Sequence, residues 1–237
     1  MTISASFKKR LKYFELDISF SCPSENMMVM IGPSGGGKTT IIRILAGLDT
    51  PDEGKIIFGD DIWFDSAMRI NVSPQKRRLG YVFQDYTLFP HLTMYENAAF
   101  AAVNKKEVYE LFELFKIGHL RNRKPHRVSG GERQRCAICQ TLARHPRLLL
   151  LDEPFSALDT ITRRGLREEL KNLKGSLSFP IIYVTHDINE ALFLADEILP
   201  VVDGKNDDGW MQRMITREPS DALSARAARE PRLALVY

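Results

Sequence analysis

The segment Gly32-Pro33-Ser34-Gly35-Gly36-Gly37-Lys38-Thr39 constrains the fold more tightly than any other part of the chain. Its spacing, a glycine, four residues and then Gly-Lys-Thr, is that of a phosphate-binding loop. The apolar run Met27-Met28-Val29-Met30-Ile31 before it reads as a strand buried on both faces. The stretch from Thr40 to Ala46 after it reads as a helix that starts directly from the loop. Strand, glycine turn and helix in that order call for an α/β fold with a parallel sheet. The glycines let successive N–H groups turn inward to make a concave anion site, to which the helix adds its positive end. In that arrangement Lys38 reaches the β- and γ-phosphates of a nucleotide, Thr39 offers its hydroxyl to Mg²⁺, and Thr40 closes the loop.

A second buried run, Leu148 to Leu151, reads as a strand that delivers Asp152 at its carboxyl end. Ligands of open α/β sheets bind at those ends, so a carboxylate there can hold Mg²⁺ through water. Glu153, one position on, is placed to orient and deprotonate an attacking water, which is general-base work. His186 follows a third such run, residues 180–185, at another strand end. His91, His119, His126 and His145 are read as structural.

Taken together, these residues resemble the nucleotide-binding subunit of ATP-binding cassette transporters. Val128-Ser129-Gly130-Gly131-Glu132-Arg133-Gln134-Arg135 looks like the family's signature motif, Gln84 like the Q-loop glutamine, Ser156-Ala157-Leu158-Asp159 like the D-loop, and His186 like the switch histidine. The match covers roughly residues 10 to 205. The resemblance implies a P-loop (RecA-like) ATPase core with an N-terminal antiparallel β subdomain and an inserted α-helical subdomain. It also implies that ATP held on Lys38 and Thr39 of one copy is capped by Ser129, Gly130, Gly131 and Glu132 of a second copy. Gln84 and His186 would sense the γ-phosphate, Mg²⁺ would be held by Thr39, Gln84 and Asp152, and hydrolysis at Glu153 would release the two halves. Leu88-Phe89-Pro90-His91-Leu92-Thr93-Met94-Tyr95-Glu96-Asn97 looks like the segment of bacterial importers near the groove where the membrane subunit docks. Phe14-Glu15-Leu16-Asp17 and the stretch Arg77 to Gln84 are similar to the molybdate and related oxyanion branch. Four departures stand out: Glu25-Asn26 where Gly-Glu is usual, Val128 and Glu132 in the signature where Leu and Gln are commoner, Cys136 and Cys139 where Val and Ala are usual, and Gln140 where Arg is usual. Phe7, Tyr13 and Phe14 are all near the place of the adenine-stacking aromatic, with Lys9 or Arg10 as the alternative nearest to it, and base stacking stays unassigned.

Composition bounds the partners. A chain of 237 residues with a net charge of +3 has no basis for nucleic-acid binding. No apolar stretch approaches the ~18 residues that span a bilayer, and the N-terminus with Lys8-Lys9-Arg10 lacks a signal-peptide core. The expected location is the cytoplasmic face of the cell membrane, with integral permease subunits as direct partners and an extracytoplasmic solute-binding protein as an indirect one. The basic runs Lys76-Arg77-Arg78 and Arg121 to Arg127 read as solvated faces, the second with the alternative of contacting an opposing subunit or nucleotide. Cys22, Cys136 and Cys139 suit a reducing compartment, and the Cys-Ala-Ile-Cys spacing reads as small buried helix residues.

The chain is expected to form one nucleotide-binding domain: an ATPase core over about 1–85 and 146–205, a helical subdomain over about 86–145, and a C-terminal extension over about 206–237. Val108, Leu111, Phe112 and Phe115 recur at helical spacing in the middle part. In the tail, Asn206-Asp207-Asp208-Gly209 reads as a tight turn between two edge strands, and residues 217–229 as a short helix. The length leaves no room for the β-barrel regulatory domain that some importer subunits carry. The leading function is an ATPase that drives import of molybdate or a related oxyanion. The alternatives are an importer of another solute (iron, sulfate, polyamine, sugar), a soluble cassette ATPase acting on translation or DNA, an exporter ATPase, and a nucleotide-binding protein without turnover.

Overall fold

The computed structural model describes residues 1–83, 88–175, 177–217 and 232–233. In chain order the elements are β1 (Ile3–Arg10), β2 (Glu15–Cys22), β3 (Met27–Ile31), α1 (Lys38–Ala46), β4 (Glu53–Phe58), β5 (Asp61–Asp65), β6 (Ile70–Asn71), α2 (Pro74–Arg77), β7 (Gly80–Val82), α3 (Met94–Ala99), α4 (Lys105–Leu114), α5 (Gly130–Leu142), β8 (Leu149–Asp152), α6 (Thr160–Lys174), β9 (Ile181–Thr185), α7 (Ile188–Leu194), β10 (Glu197–Val202), β11 (Lys205–Asn206), α8 (Asp208–Arg217) and β12 (Arg232–Leu233). They form two compact units, residues 1–77 together with those from 178 onward, and residues 78–177.

In the first unit, β1 and β2 pair antiparallel from Ile3 opposite Cys22 to Arg10 opposite Glu15. Their residues alternate in burial, with Ile3, Ala5 and Phe7 inward on one strand and Leu16, Ile18 and Phe20 on the other. That period of two is what a half-buried sheet requires. β4, β5 and β6 extend this antiparallel ladder. On the other side β10, β3 and β9 run parallel. Every residue of β3 and of β9 is buried, as expected of strands covered on both faces. α1 begins at Lys38, two residues earlier than the sequence suggests, and ends at Gly47, whose left-handed φ of 75° lets its N–H cap the helix on the Arg43 and Ile44 carbonyls.

Two expectations fail in this unit. Asp207 and Asp208 do not turn between two edge strands: β11 stops at Asn206 and α8 begins at Asp208. Asp207 takes the Trp210 N–H on its Oδ1 at 2.9 Å, so aspartate acts here as a helix cap instead of a hairpin residue. Nor does the run Lys76-Arg77-Arg78 form a uniformly solvated face, because Arg77 is 1% exposed. Its guanidinium donates to the Val72, Ile44 and Leu45 carbonyls and to Asn71 Oδ1, and it lies 5.5 Å from the Trp63 ring centroid. The expected helix over 217–229 falls, past its first residue, outside the described residues.

In the second unit, β7 pairs parallel with β8, Val82 opposite Leu151. α3, α4 and α5 pack together through the fully buried Met94, Ala98, Val108, Ile138 and Cys139. Phe112 and Phe115, each 1% exposed, supply the inner face of α4 and its C-cap. Cys136 and Cys139 donate their Sγ–H to the carbonyls of Met94 and Leu111 at 3.3 and 3.6 Å. Burial pushes the Cys136 thiol up to about 12 and that of Cys139 well above the ordinary thiol range. Among the described residues no helix is long and apolar enough to cross a membrane.

Candidate nucleotide site

Within the first unit the loop 32–39 leaves β3 and enters α1. Gly37 is the N-cap of α1 with φ 98°, a backbone state that non-glycine residues rarely adopt. The Lys38 ammonium is buried and donates to the Gly32 and Pro33 carbonyls, each at 2.8 Å, so its charge lies over the loop. Pro33, Ser34, Gly35 and Thr39 are exposed, Gly36 is buried, and Thr40 is half-buried in the first turn of α1. β3 and β9 are in register, Ile31 opposite Thr185. The strand ends that lead into Gly32 and His186 therefore lie side by side, and His186 is exposed there. Thr185 Oγ1 donates to Glu190 Oε2 at 2.6 Å and accepts the Asp187 N–H at 3.1 Å, which fixes the turn that carries His186.

Sequence reasoning missed what supports the loop from below. The Gly204 N–H, in the β10–β11 turn, donates to the Gly36 carbonyl at 3.1 Å, and the Gly204 carbonyl accepts from Asp17 N–H at 2.8 Å. Gly204 has φ 79°, and a Cβ there would sit 2.7 Å from the Glu15 carbonyl oxygen and from the Phe14 ring. The same ring lies 3.3 Å from where a Cβ on Gly37 would be. Of the three aromatics near the usual stacking position, Phe7 is buried, Tyr13 is exposed, and Phe14 is half-buried between the loop and this turn. Gly204→Ala is expected to cost about 1–3 kcal/mol, from the left-handed φ and the close approach to Glu15. Urea unfolding of both proteins measures it, and equal stability would show that the turn relaxes freely.

Within the second unit, Asp152 ends β8, is buried, and accepts a hydrogen bond from the Tyr81 hydroxyl at 3.1 Å. Glu153 follows it with φ 45°. Ser129 is the N-cap of α5 and forms a capping box: its Oγ accepts the Glu132 N–H at 3.3 Å, and Glu132 Oε2 accepts the Ser129 N–H at 2.7 Å. Burial raises the Glu132 pKa, but the hydrogen bonds from Ser129 outweigh it and hold the carboxyl below its ordinary value. The box accounts for Glu132 in place of the commoner Gln, since either side chain serves at the third helical position. Gly130 opens α5 half-buried, and buried Gly131 lies against Thr162 of α6. In the D-loop segment Ser156 is half-buried, Ala157 is exposed and Leu158 is buried. Asp159 caps α6 through the Ile161 and Thr162 N–H groups. Gln84 lies outside the described residues.

The same unit contains a cavity of about 430 Å³ lined by Tyr81, Phe83, Phe89, Phe100, Gln140 and Arg144 among others. Among the described residues its lining is largely aromatic, with the Arg144 cation at the rim. Arg121, Arg123, Lys124, His126 and Arg127 are exposed, as a solvated face requires.

The chain matches the ABC transporter family over residues 16–156. It is 41% identical over 221 residues to a sulfate/thiosulfate import ATP-binding protein (CysA 2) of Agrobacterium fabrum, covering 89% of this chain and 63% of that one. A molybdate/tungstate import ATP-binding protein (WtpC) of Archaeoglobus fulgidus is 39% identical over 237 residues and 95% of each chain. The chain thus spans less than two thirds of the length of several curated relatives it matches, and nearly all of another. Among solved structures, the dimeric post-hydrolysis state of the ATP-binding cassette MJ0796 bound to ADP and Pi superposes with a TM-score of 0.71 at 28% identity, covering 87% of this chain and 97% of that one. CbiO1 of Clostridium perfringens shares the fold, with a TM-score of 0.76 at 24% identity over 91% of this chain and 92% of that one. On a family match across more than half its length, and on these relatives, the chain belongs to the ABC transporter family.

Proposed function

We propose that this chain is the ATP-hydrolysing subunit of an importer, and that two copies close around ATP and reopen on hydrolysis. The observation that carries the reading is the register of β3 with β9, which brings the loop 32–39 and His186 to neighbouring strand ends. In this reading the loop holds the phosphates of ATP, Ser129 to Glu132 cap the nucleotide of a second copy, and Glu153 takes the proton of the attacking water. Gln84 and His186 respond to the γ-phosphate, and the D-loop, Ser156 to Asp159, faces the second copy. Thr39 and Asp152 are oxygen donors of the kind Mg²⁺ takes, and with Gln84 they would hold the ion, which supplies charge neutralisation of the phosphates. By function we divide the chain into an ATPase core over about 1–85 and 146–205, a helical subdomain over about 86–145 and a C-terminal extension over about 206–237, a division that differs from the two compact units.

The aromatic cavity of the second unit supports a membrane partner. We assign it to an apolar helical segment of a permease that offers a carboxylate to Arg144, a reading in keeping with a chain that works at the cytoplasmic face of the membrane. An extracytoplasmic binding protein would deliver the solute. Molybdate or a related oxyanion fits the sulfate and molybdate/tungstate names of the relatives above. A spermidine/putrescine import ATP-binding protein (PotA) of Aliivibrio fischeri, 38% identical over 94% of this chain, keeps a cationic solute as the second reading. Phe100, 65% exposed at the cavity, gives the test. Phe100→Glu is expected to abolish co-purification with a polytopic membrane protein from the native host while ATP binding persists. Uptake of labelled molybdate, sulfate and spermidine by host cells with and without the chain then assigns the solute. Recovery of only ribosomal or DNA-associated proteins with the unaltered chain would refute the importer reading.

A further inference from the structure

Glu153 stands in the left-handed region at φ 45°, where a residue with a side chain persists only if its surroundings hold it. Holding groups lie in the turn that follows. The Ser156 N–H and hydroxyl both donate to the Glu153 carbonyl, at 3.2 and 2.9 Å. Phe155, 1% exposed, anchors the turn, and the Leu158 N–H donates to the Phe155 carbonyl at 3.2 Å.

One side chain then gathers the carbonyls of this turn. Arg163, in the first turn of α6, donates from Nε to the Phe155 carbonyl at 3.1 Å. Its Nη2 donates to the carbonyls of Ser156 at 3.2 Å and Leu158 at 2.9 Å. A guanidinium is planar, permanently charged and carries five N–H donors in a fixed fork, so it can hold three carbonyls in a fixed arrangement. An ammonium is a point donor and cannot copy that geometry. The first turn of α6 is itself pinned by Asp159, whose carboxyl is held below its ordinary range by hydrogen bonds from Thr162 and from the backbone of the same turn.

The chain of contacts therefore runs from α6 through Arg163 to the turn 155–158, and from Ser156 to the backbone of Glu153. Because φ is left-handed, the Glu153 side chain leaves the main chain off the regular line of β8, and the turn that holds the Glu153 carbonyl helps to fix that departure. We propose that Arg163 is a positioning residue for the Glu153 carboxylate, acting through Ser156. The proposal rests on the reading of Glu153 as the general base.

Two variants of the full chain test it, with kcat and KM for ATP measured per nucleotide-binding site and the melting temperature recorded alongside. Arg163→Ala is expected to lower kcat about tenfold or more with KM for ATP within about twofold, the signature of a lost transition-state interaction. Arg163→Lys keeps the charge but loses the fork, and is expected to recover part of the rate. If Arg163→Ala fails to fold, Arg163→Lys alone decides, with kcat expected to fall about threefold or more at a melting temperature near that of the unaltered chain. Wild-type kcat per site in either folded variant, or a rise in KM without a fall in kcat, overturns the proposal. Glu153→Gln separates the two layers. Turnover in that variant at the wild-type rate removes the general base, whereas a dead Glu153→Gln beside fully active Arg163 variants removes only the positioning role.

Discussion

Glu153→Gln is expected to bind ATP as the unaltered chain does and to hydrolyse it about 10² to 10⁴ times more slowly, the range over which a positioned general base acts. The substitution keeps the size and planarity of the side chain and leaves the Ser156 hydrogen bonds to the residue 153 carbonyl in place, because those involve the main chain. What it removes is the capacity to accept a proton. The hydrogen bonds of Lys38 to the Gly32 and Pro33 carbonyls do not involve residue 153. Binding without turnover should leave the two copies closed, and size-exclusion chromatography in ATP should show a dimer that the unaltered chain forms only transiently. Lys38→Ala supplies the opposite pattern. It deletes a buried ammonium that lies over the loop, so ATP binding itself is expected to be lost. Single-turnover hydrolysis beside equilibrium ATP binding distinguishes the two, and a Glu153→Gln protein that hydrolyses at the normal rate would move the base elsewhere.

The second large effect concerns stability. Arg77→Met is expected to destabilise the first unit by about 3–5 kcal/mol, because deleting a buried charge strands the groups that it satisfied. Three carbonyls and Asn71 Oδ1 accept from this guanidinium. Two of them, Ile44 and Leu45, belong to the last turn of α1, where a cation also complements the helix dipole. Burial draws the Arg77 pKa down to about 10, which leaves it charged at neutral pH, and its carbonyl partners favour that charge. Methionine restores some apolar volume against Trp63 but none of the donors. Chemical denaturation gives the loss directly. A loss below about 1 kcal/mol, the net worth of a single ordinary hydrogen bond, would mean that water replaces the guanidinium.

Arg77 also shows where sequence reading stops. Three cations in a row look solvated, and nothing local says that the middle one turns inward to cap a helix that ended some thirty positions earlier. The same limit hid the contact of Gly204 with Gly36 and the place of Phe14, both of which join segments far apart in the chain. The phosphate loop was legible because its pattern is entirely local, with a buried strand, glycines, Gly-Lys-Thr and a helix in unbroken order. β8 and β9 were legible for a related reason, since a short continuous apolar run between turn signals has few other uses. Asp207 and Asp208 misled because aspartate favours both tight turns and helix starts, and only the packing of α8 decides between them. The left-handed Glu153 could not be foreseen from residue type, because a glutamate there is held by its neighbours and not by its own preference.

The three thiols have a practical consequence. Cys22, Cys136 and Cys139 are all buried thiols outside any disulfide, and deep burial keeps the pair on α5 protonated. Maleimides and disulfide probes attack the thiolate at an accessible surface, so the native chain should present them with almost no background. A single cysteine engineered at an exposed site such as Ile161, 86% exposed, could then carry a spin or fluorescent label without first stripping the native sulfurs. The approach of two copies during an ATP cycle would become a distance measured in the otherwise unaltered protein.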